Sequence, residues 1–474
     1  MLFNSFNFVG FYLGVLLILF LEGLLTRSVR VRNFTLLVAS YLFYGLFNIG
    51  FLAILIFVTA VNYIAGAFVV EGGKKSKVGV GMAVVLSLLP LAFFKYSLFL
   101  CHSFCSLLST DFDMTFVESL LLPVGISFFT FQALSYTIDL YRGKVERCKS
   151  GIDFFLYVSF FPTILSGPIE KARELLPQIK IYTDLTSTGL VQGICIFIWG
   201  LFKKVVVADR LADYVDMAYM MHTSVSGTTL AVAAVFYSIQ IYCDFSGYSD
   251  MALGVAKGLG VDITKNFRQP YFSRTIKDFW RKWHISLTSW FTEYVYFSLG
   301  GSRVSAKWKW VRNISLVFLL SGIWHGAAWN FLVWGALHAV YYLCEHYLGV
   351  QRPGLKWNML SSALGGIMIF ILVTIAWIFF RVTDFSTALS IIEKIFTDWS
   401  GGFYVGMSTF TFVASVGMLV VFVVYELLVR QNILCFDVKD YHAAINRTLL
   451  SVIPLLLLIA MFGKSSDSFV YFKF

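Results

Sequence analysis

Apolar stretches of membrane-crossing character recur along the whole chain, at 7–25, 34–47, 49–70, 78–100, 190–207, 228–242, 315–343, 361–380, 409–429 and 447–462. An α-helix needs ~20 apolar residues to cross a ~30 Å hydrocarbon core, and several of these runs approach that length. Hydrophobic residues make up 58% of the chain and charged residues 14%, more apolar surface than a soluble fold can hide. Long apolar runs, as opposed to short alternating ones, specify helices and not a barrel. Shorter or broken segments at 116–138, 152–165 and 285–299 are richer in Gly, Pro, Ser or Thr and read as re-entrant or half-spanning pieces. The expectation is an all-α polytopic membrane protein of about 10–12 transmembrane helices plus short re-entrant ones. With no internal repeat, long linker or soluble appendage, it reads as one integral membrane domain over 1–474.

Charge sets the topology. MLFNSFNFVG carries no basic n-region, so the first span is expected to be retained. Arg27, Arg30 and Arg32 follow the first span and Lys74, Lys75 and Lys77 the third, which puts both clusters on one side. By the positive-inside rule that side is the cytoplasm and the N-terminus is outside. The net charge of +10 is mostly the same effect: basic residues gather at 142–149, 171–180, 265–282 and 303–312, between apolar segments and within reach of anionic lipid. Nothing resembles a nucleic-acid module. The seven cysteines form no CxxC pair, and CHSFC (101–105) offers soft ligands without a fourth partner. A packing role, or a disulfide at the outer end of the fourth span, is expected there, with no metal site.

Two histidines stand out. His325 lies in LLSGIWHGAAWNFLVWGALH (319–338), thirteen residues beyond Arg312. At the helical rise that is ~20 Å, near mid-bilayer if the arginine sits among headgroups. An ionisable side chain at that depth needs a water-filled or protein-lined cavity, which makes it a candidate functional residue. His284 ends the longest polar interval, 262–284, where a helix is expected to start at Ser273 as N-cap, with Trp280 and His284 on one face and Lys277 and Arg281 on another. This helix is expected to lie on the cytoplasmic surface and dip inward at ISLTSWF. Only about 15 residues separate it from the next basic run, too few to cross and return, so a re-entrant pair of short helices is expected.

Two such imidazoles suit acyl transfer: one takes the proton from an attacking hydroxyl, the other positions substrate or hydrogen-bonds the oxygen where charge develops. No phosphate-binding GxxxxGK[ST] loop, HExxH or GxSxG pattern is present. YCDFSGYSDMALG (242–254) places Asp244 and Asp250 inside an apolar region, where they line a cavity or cation path or tie helices together.

The run NFRQPYFSRTIKDFWRKWHISLTSWFTEYVYFSLGGSR (266–303) resembles the membrane-bound O-acyltransferase (MBOAT) family, in particular its bacterial alginate and exopolysaccharide O-acetyltransferase branch. Similar stretches stand at 123–143, 160–179, 199–212, 242–260 and 321–338, with AWIFFR (376–381) a weaker one, in order across 123–381. The resemblance implies a ring of tilted helices around a central tunnel. It implies that His325 is catalytic and that His284 fills the second active-site position. It also implies a bacterial cytoplasmic-membrane enzyme moving an acetyl group from a cytoplasmic thioester across the membrane to a secreted polysaccharide. An extracytoplasmic SGNH-type acetyltransferase would be the partner. No tightly bound cofactor is expected; acetyl-CoA or another acyl thioester is the donor substrate, and Lys277, Arg281 and Lys282 would meet its phosphates. After Trp290 relatives carry an Arg-Asp pair and later a proline, whereas this chain has Thr292, Glu293 and Ser298, which bears on the donor contact. Two alternatives remain: teichoic acid D-alanylation from a carrier-bound thioester, and a proton-coupled transporter using Asp244, Asp250 and His325.

Overall fold

The computed structural model describes residues 1–108, 114–350, 358–431 and 441–464, the last stretch with side chains from 452 onward. All regular structure in them is helical, and helix after helix opens on a side chain that takes up orphan N–H groups. Ser5, Ser28, Asn48, Ser150, Thr275, Asn358, Asp384 and Ser408 each accept from a first-turn amide. Among the described residues, seven helical segments are long and apolar enough to cross a bilayer: Phe6–Leu25, Ile49–Val70, Gly73–Leu108, Ser187–Met220, Gly227–Gly258, Met359–Arg381 and Thr409–Arg430. Among the described residues that is fewer than the apolar runs suggested, because the runs at 34–47 and 315–343 fold into helices that are shorter or more polar.

The chain divides into two compact units. The first, Met1–Ile194 with Ala252–Thr264, contains α1 (Phe6–Leu25), α2 (Val29–Gly45), α3 (Ile49–Val70), α4 (Gly73–Leu108), α5 (Thr115–Glu118), α6 (Ile126–Tyr141), α7 (Gly151–Ser159) and α8 (Ala172–Ile179). The first half of α9 (Ser187–Phe202) also belongs to it. Leu13, Leu17, Leu21 and Leu24 form an exposed apolar stripe on α1, as a lipid-facing helix requires. Arg32 is more than a topology signal. It is buried, and its guanidinium donates to the Ile179 and Ile181 carbonyls at 2.7 Å, capping the end of α8. Asn33 adds a bond to Asp153 at 2.8 Å. Cys101 and Cys105 are free thiols one turn apart on α4, so of the two alternatives for CHSFC, packing or a disulfide, the disulfide does not form; Cys435 lies outside the described residues.

The second unit, Cys195–Met251 with Lys265–Phe474, holds the remaining helices: α10 (Asp209–Met220), most of α11 (Gly227–Gly258), α12 (Ile276–Lys282), α13 (Ile285–Trp290), α14 (Lys307–His325), α15 (Trp329–Tyr347), α16 (Met359–Arg381), α17 (Phe385–Thr397), α18 (Thr409–Arg430) and α19 (Tyr441–Phe462). A π-helical turn, Lys203–Ala208, precedes α10 and buries two lysines. Lys204 reaches Asp209 at 2.9 Å and Asp244 at 2.6 Å; Lys203 reaches Asp250 and donates to Ser246 at 3.0 Å. Each carboxylate of YCDFSGYSD therefore has its own lysine, and the polar interruption of α11 ties helices together.

Candidate active site

The first half of the site is a corner between α12 and α13. The helix start expected at Ser273 lies two residues later: Pro270–Phe272 forms a 3-10 turn closed by Ser273, and Thr275 caps α12 by accepting from Asp278 N at 3.0 Å. The chain breaks again at His284, which adopts a left-handed backbone (φ 42°, ψ 57°) before α13 begins. Trp280 and His284 therefore do not share one helix face, as a continuous helix would require. A non-glycine residue held so costs on the order of 1–3 kcal/mol, and such strain concentrates at functional positions. Asn266 holds the corner: its carbonyl accepts from Ile285 N at 2.9 Å and its Oδ1 from Ser286 N at 3.2 Å. Arg268 N donates to the Lys282 carbonyl at 3.0 Å. The first amides of α13 are thereby satisfied, and the imidazole is turned inward, fully buried against Phe245 at 4.6 Å between ring centres. Beyond α13 the helix continues as a π-turn to Tyr296, giving twelve residues and ~18 Å of rod, where a re-entrant pair had been expected.

The second half is a hairpin. The apolar stretch 315–343 reads as one run, yet Gly326 and Ala328 adopt extended backbone and divide it into α14 and α15. A Cβ on Gly322 would lie 2.2 Å from the Phe331 carbonyl, and one on Gly335 2.4 Å from the Phe318 carbonyl. Those pairings run in opposite senses along the chain, so the two helices are antiparallel and touch backbone to backbone. His325 is the last residue of α14, at the hairpin's tip, and keeps the ~20 Å separation from Arg312 that the sequence implied. Its ring is buried among Trp324 (4.9 Å), Trp334 (5.0 Å) and Phe380 (5.2 Å).

The two histidines meet through one indole: Trp324 contacts the His284 ring at 5.9 Å as well as that of His325. A cavity of about 220 Å³ with largely apolar walls lies on the same helices, lined by neither histidine nor by Trp324. Lys277 and Arg281, one turn apart on α12, stand at it together with Trp280, Phe318 and Ser321. Ser321 lies one turn before His325 on α14, so the cavity reaches to within a turn of that histidine. Lys282 is placed differently: its ammonium pairs with Asp278 at 2.7 Å and it does not line the cavity. A third histidine, His338 on α15, was not singled out by sequence reasoning. It is fully buried, with ring contacts to Trp280 and Trp334 at 4.9 Å each. Its only sequence signal is its place thirteen residues after His325 in the same apolar run.

Water-poor surroundings, neutral-capable imidazoles and a cation-rimmed apolar cavity suit the handling of a long, acidic-headed, acyl-bearing molecule. The profile of the membrane-bound O-acyltransferase family (MBOAT) matches residues 36–383. The chain belongs to that family, and it is an O-acyltransferase. Among MBOAT relatives it is 37% identical to a probable alginate O-acetylase of Pseudomonas aeruginosa, covering 84% of this chain and 75% of that one. It is 32% identical to a peptidoglycan O-acetyltransferase of Helicobacter pylori (76% and 72%). It is 30% identical to a teichoic acid D-alanyltransferase of Bacillus subtilis over a shorter region, 58% and 70%. The likeness to the alginate O-acetylase branch read from residues 123–381 therefore extends over most of the chain, and membership of this enzyme family replaces the transporter alternative.

Proposed function

We propose that this membrane protein O-acetylates a secreted polysaccharide, taking the acetyl group from a cytoplasmic thioester, acetyl-CoA or a carrier-bound equivalent. The observation that carries the reading is the junction of His284, Trp324 and His325, with His325 one helical turn from a cavity lined by Ser321, Lys277 and Arg281. Phosphates or carboxylates of the donor meet the two cations, while the acyl arm lies along the apolar wall toward Ser321. His325 takes the proton of the acceptor hydroxyl, and His284, held by its strained corner, positions the reacting group. The thioester is already activated, so positioning, one proton transfer and exclusion of water suffice. The relatives that act on alginate and peptidoglycan cover more of the chain at higher identity than the D-alanyltransferase, which favours acetyl over D-alanyl as cargo. The protein sits in the bacterial cytoplasmic membrane with its N-terminus outside, and an extracytoplasmic SGNH-type acetyltransferase completes delivery to the polymer.

The test is acetyl transfer from radiolabelled acetyl-CoA by the membrane-embedded protein with its partner. Loss of a positioned base removes ~10²–10⁴-fold of rate, so His325→Gln should reduce transfer to near background at normal membrane abundance. Retention of more than about a tenth of wild-type rate places the base elsewhere. His284→Ala should also lower turnover strongly.

A further inference from the structure

Three rings in mutual contact next to the cavity carry polar atoms that no group in the described residues satisfies. The Trp280 and Trp334 rings are 5.7 Å apart, and each lies 4.9 Å from His338. Trp280 Nε1, Trp334 Nε1 and both ring nitrogens of His338 are buried without a hydrogen-bond partner. Buried polar groups are almost always paired, and packing alone would be served as well by phenylalanine. Two indole N–H groups and an imidazole N–H, on rings packed against one another, each lack an acceptor. Trp280 and Phe318, both ring neighbours of His338, line the cavity, while Trp334 also contacts the His325 ring at 5.0 Å. The cluster thus lies between the cavity and His325.

We propose that Trp280, Trp334 and His338 form a carbonyl-binding station that receives the oxygen of the donor's thioester. This rests on the acyl-transfer reading above and adds three groups to it. When the acceptor hydroxyl attacks the carbonyl carbon, its proton passes to His325 and the carbonyl π pair moves onto oxygen. The N–H donors of the station bind that oxyanion. The pair then returns, the carbon–sulfur bond breaks, and the thiolate leaves with the proton from His325, giving ester and thiol. The donors are fixed by packing before reaction, so they need no reorganisation as charge develops.

The experiment compares His338→Phe, which keeps the ring and removes both polar atoms, with His338→Gln, which loses ring packing and keeps a donor, and with Trp334→Phe. Initial rates with acetyl-CoA should show kcat down ~10²–10³-fold in His338→Phe, the range for loss of an oxyanion donor, with KM changed far less. His338→Gln should keep more activity than His338→Phe, the reverse of what a packing role requires. A carbon-13-labelled ketone analogue of acetyl-CoA, with methylene in place of sulfur, supplies a readout independent of turnover. Its carbonyl stretch should shift to lower frequency on binding wild type, and less so in His338→Phe and Trp334→Phe. Wild-type kcat in His338→Phe, or an unshifted carbonyl in wild type, overturns the station while leaving acyl transfer intact. A wild-type protein that turns over no acyl thioester overturns the broader reading instead.

Discussion

Single side chains in this protein are held by burial as much as by bonding, and Glu170 shows the consequence. It is buried between α6, α7 and α8, where its carboxylate accepts from Thr264 N at 2.6 Å and from Thr264 Oγ1 at 3.2 Å. Burial outweighs those bonds and pushes its carboxyl from 4.5 up to about 7. The folded state therefore holds a proton that the unfolded chain releases. The stability it contributes is complete below about pH 4.5 and is lost as pH rises through about 7, by at most roughly 3 kcal/mol. Thermal unfolding of the detergent-solubilised protein should show wild type declining across that window, while Glu170→Gln, which cannot ionise, should give a flatter profile. A steeper decline in the variant would contradict the assignment. His284 illustrates the same economy differently: its left-handed backbone is tolerated because Asn266 and Arg268 bond both sides of it.

The hairpin of α14 and α15 is the element on which the site depends. Its tip presents His325, its second arm presents Trp334 and His338, and its closeness follows from Gly322 and Gly335 facing opposing carbonyls. Gly322→Ala would place a methyl 2.2 Å from the Phe331 carbonyl, and since backbone cannot yield locally the arms must separate. A loss of about 1–3 kcal/mol is expected from overpacking, with transfer activity falling further because His325 moves with the tip. Gly81→Ala, at a helical glycine with nothing within 4 Å, should leave activity unchanged and the unfolding temperature unchanged or slightly raised. Equal behaviour of the two variants would mean that the hairpin is not the positioning element.

For the protein as a whole, the decisive property is sidedness. The basic residues at 27–32, 71–77 and 265–282 should all face the cytoplasm. Arg30, Lys77 and Arg274 are exposed and suit the test, whereas Ser76 is buried and would not report. Cysteines introduced at these positions, in a background lacking Cys101, Cys105 and Cys344, should resist a membrane-impermeant maleimide in intact cells and react after permeabilisation. Labelling of any two in intact cells would overturn the arrangement.

Helical class and membrane character were legible in the residues, because apolar run length is a local property of the chain, and the family's motifs singled out His284 and His325, whose rings both touch Trp324. Hydropathy counts residues without knowing where a helix ends, so it could not divide 315–343 into two arms, move the start of α12 to Thr275 or turn the backbone at His284. It could not see Arg32 capping α8, nor lysines 203 and 204 each claiming a carboxylate some forty residues away. Above all it passed over His338, Trp280 and Trp334, which look like ordinary members of aromatic-rich sequence. Only packing that brings their rings together, with their polar atoms buried and unmatched, sets them apart, since an unmet hydrogen bond is a property of neighbours distant in sequence.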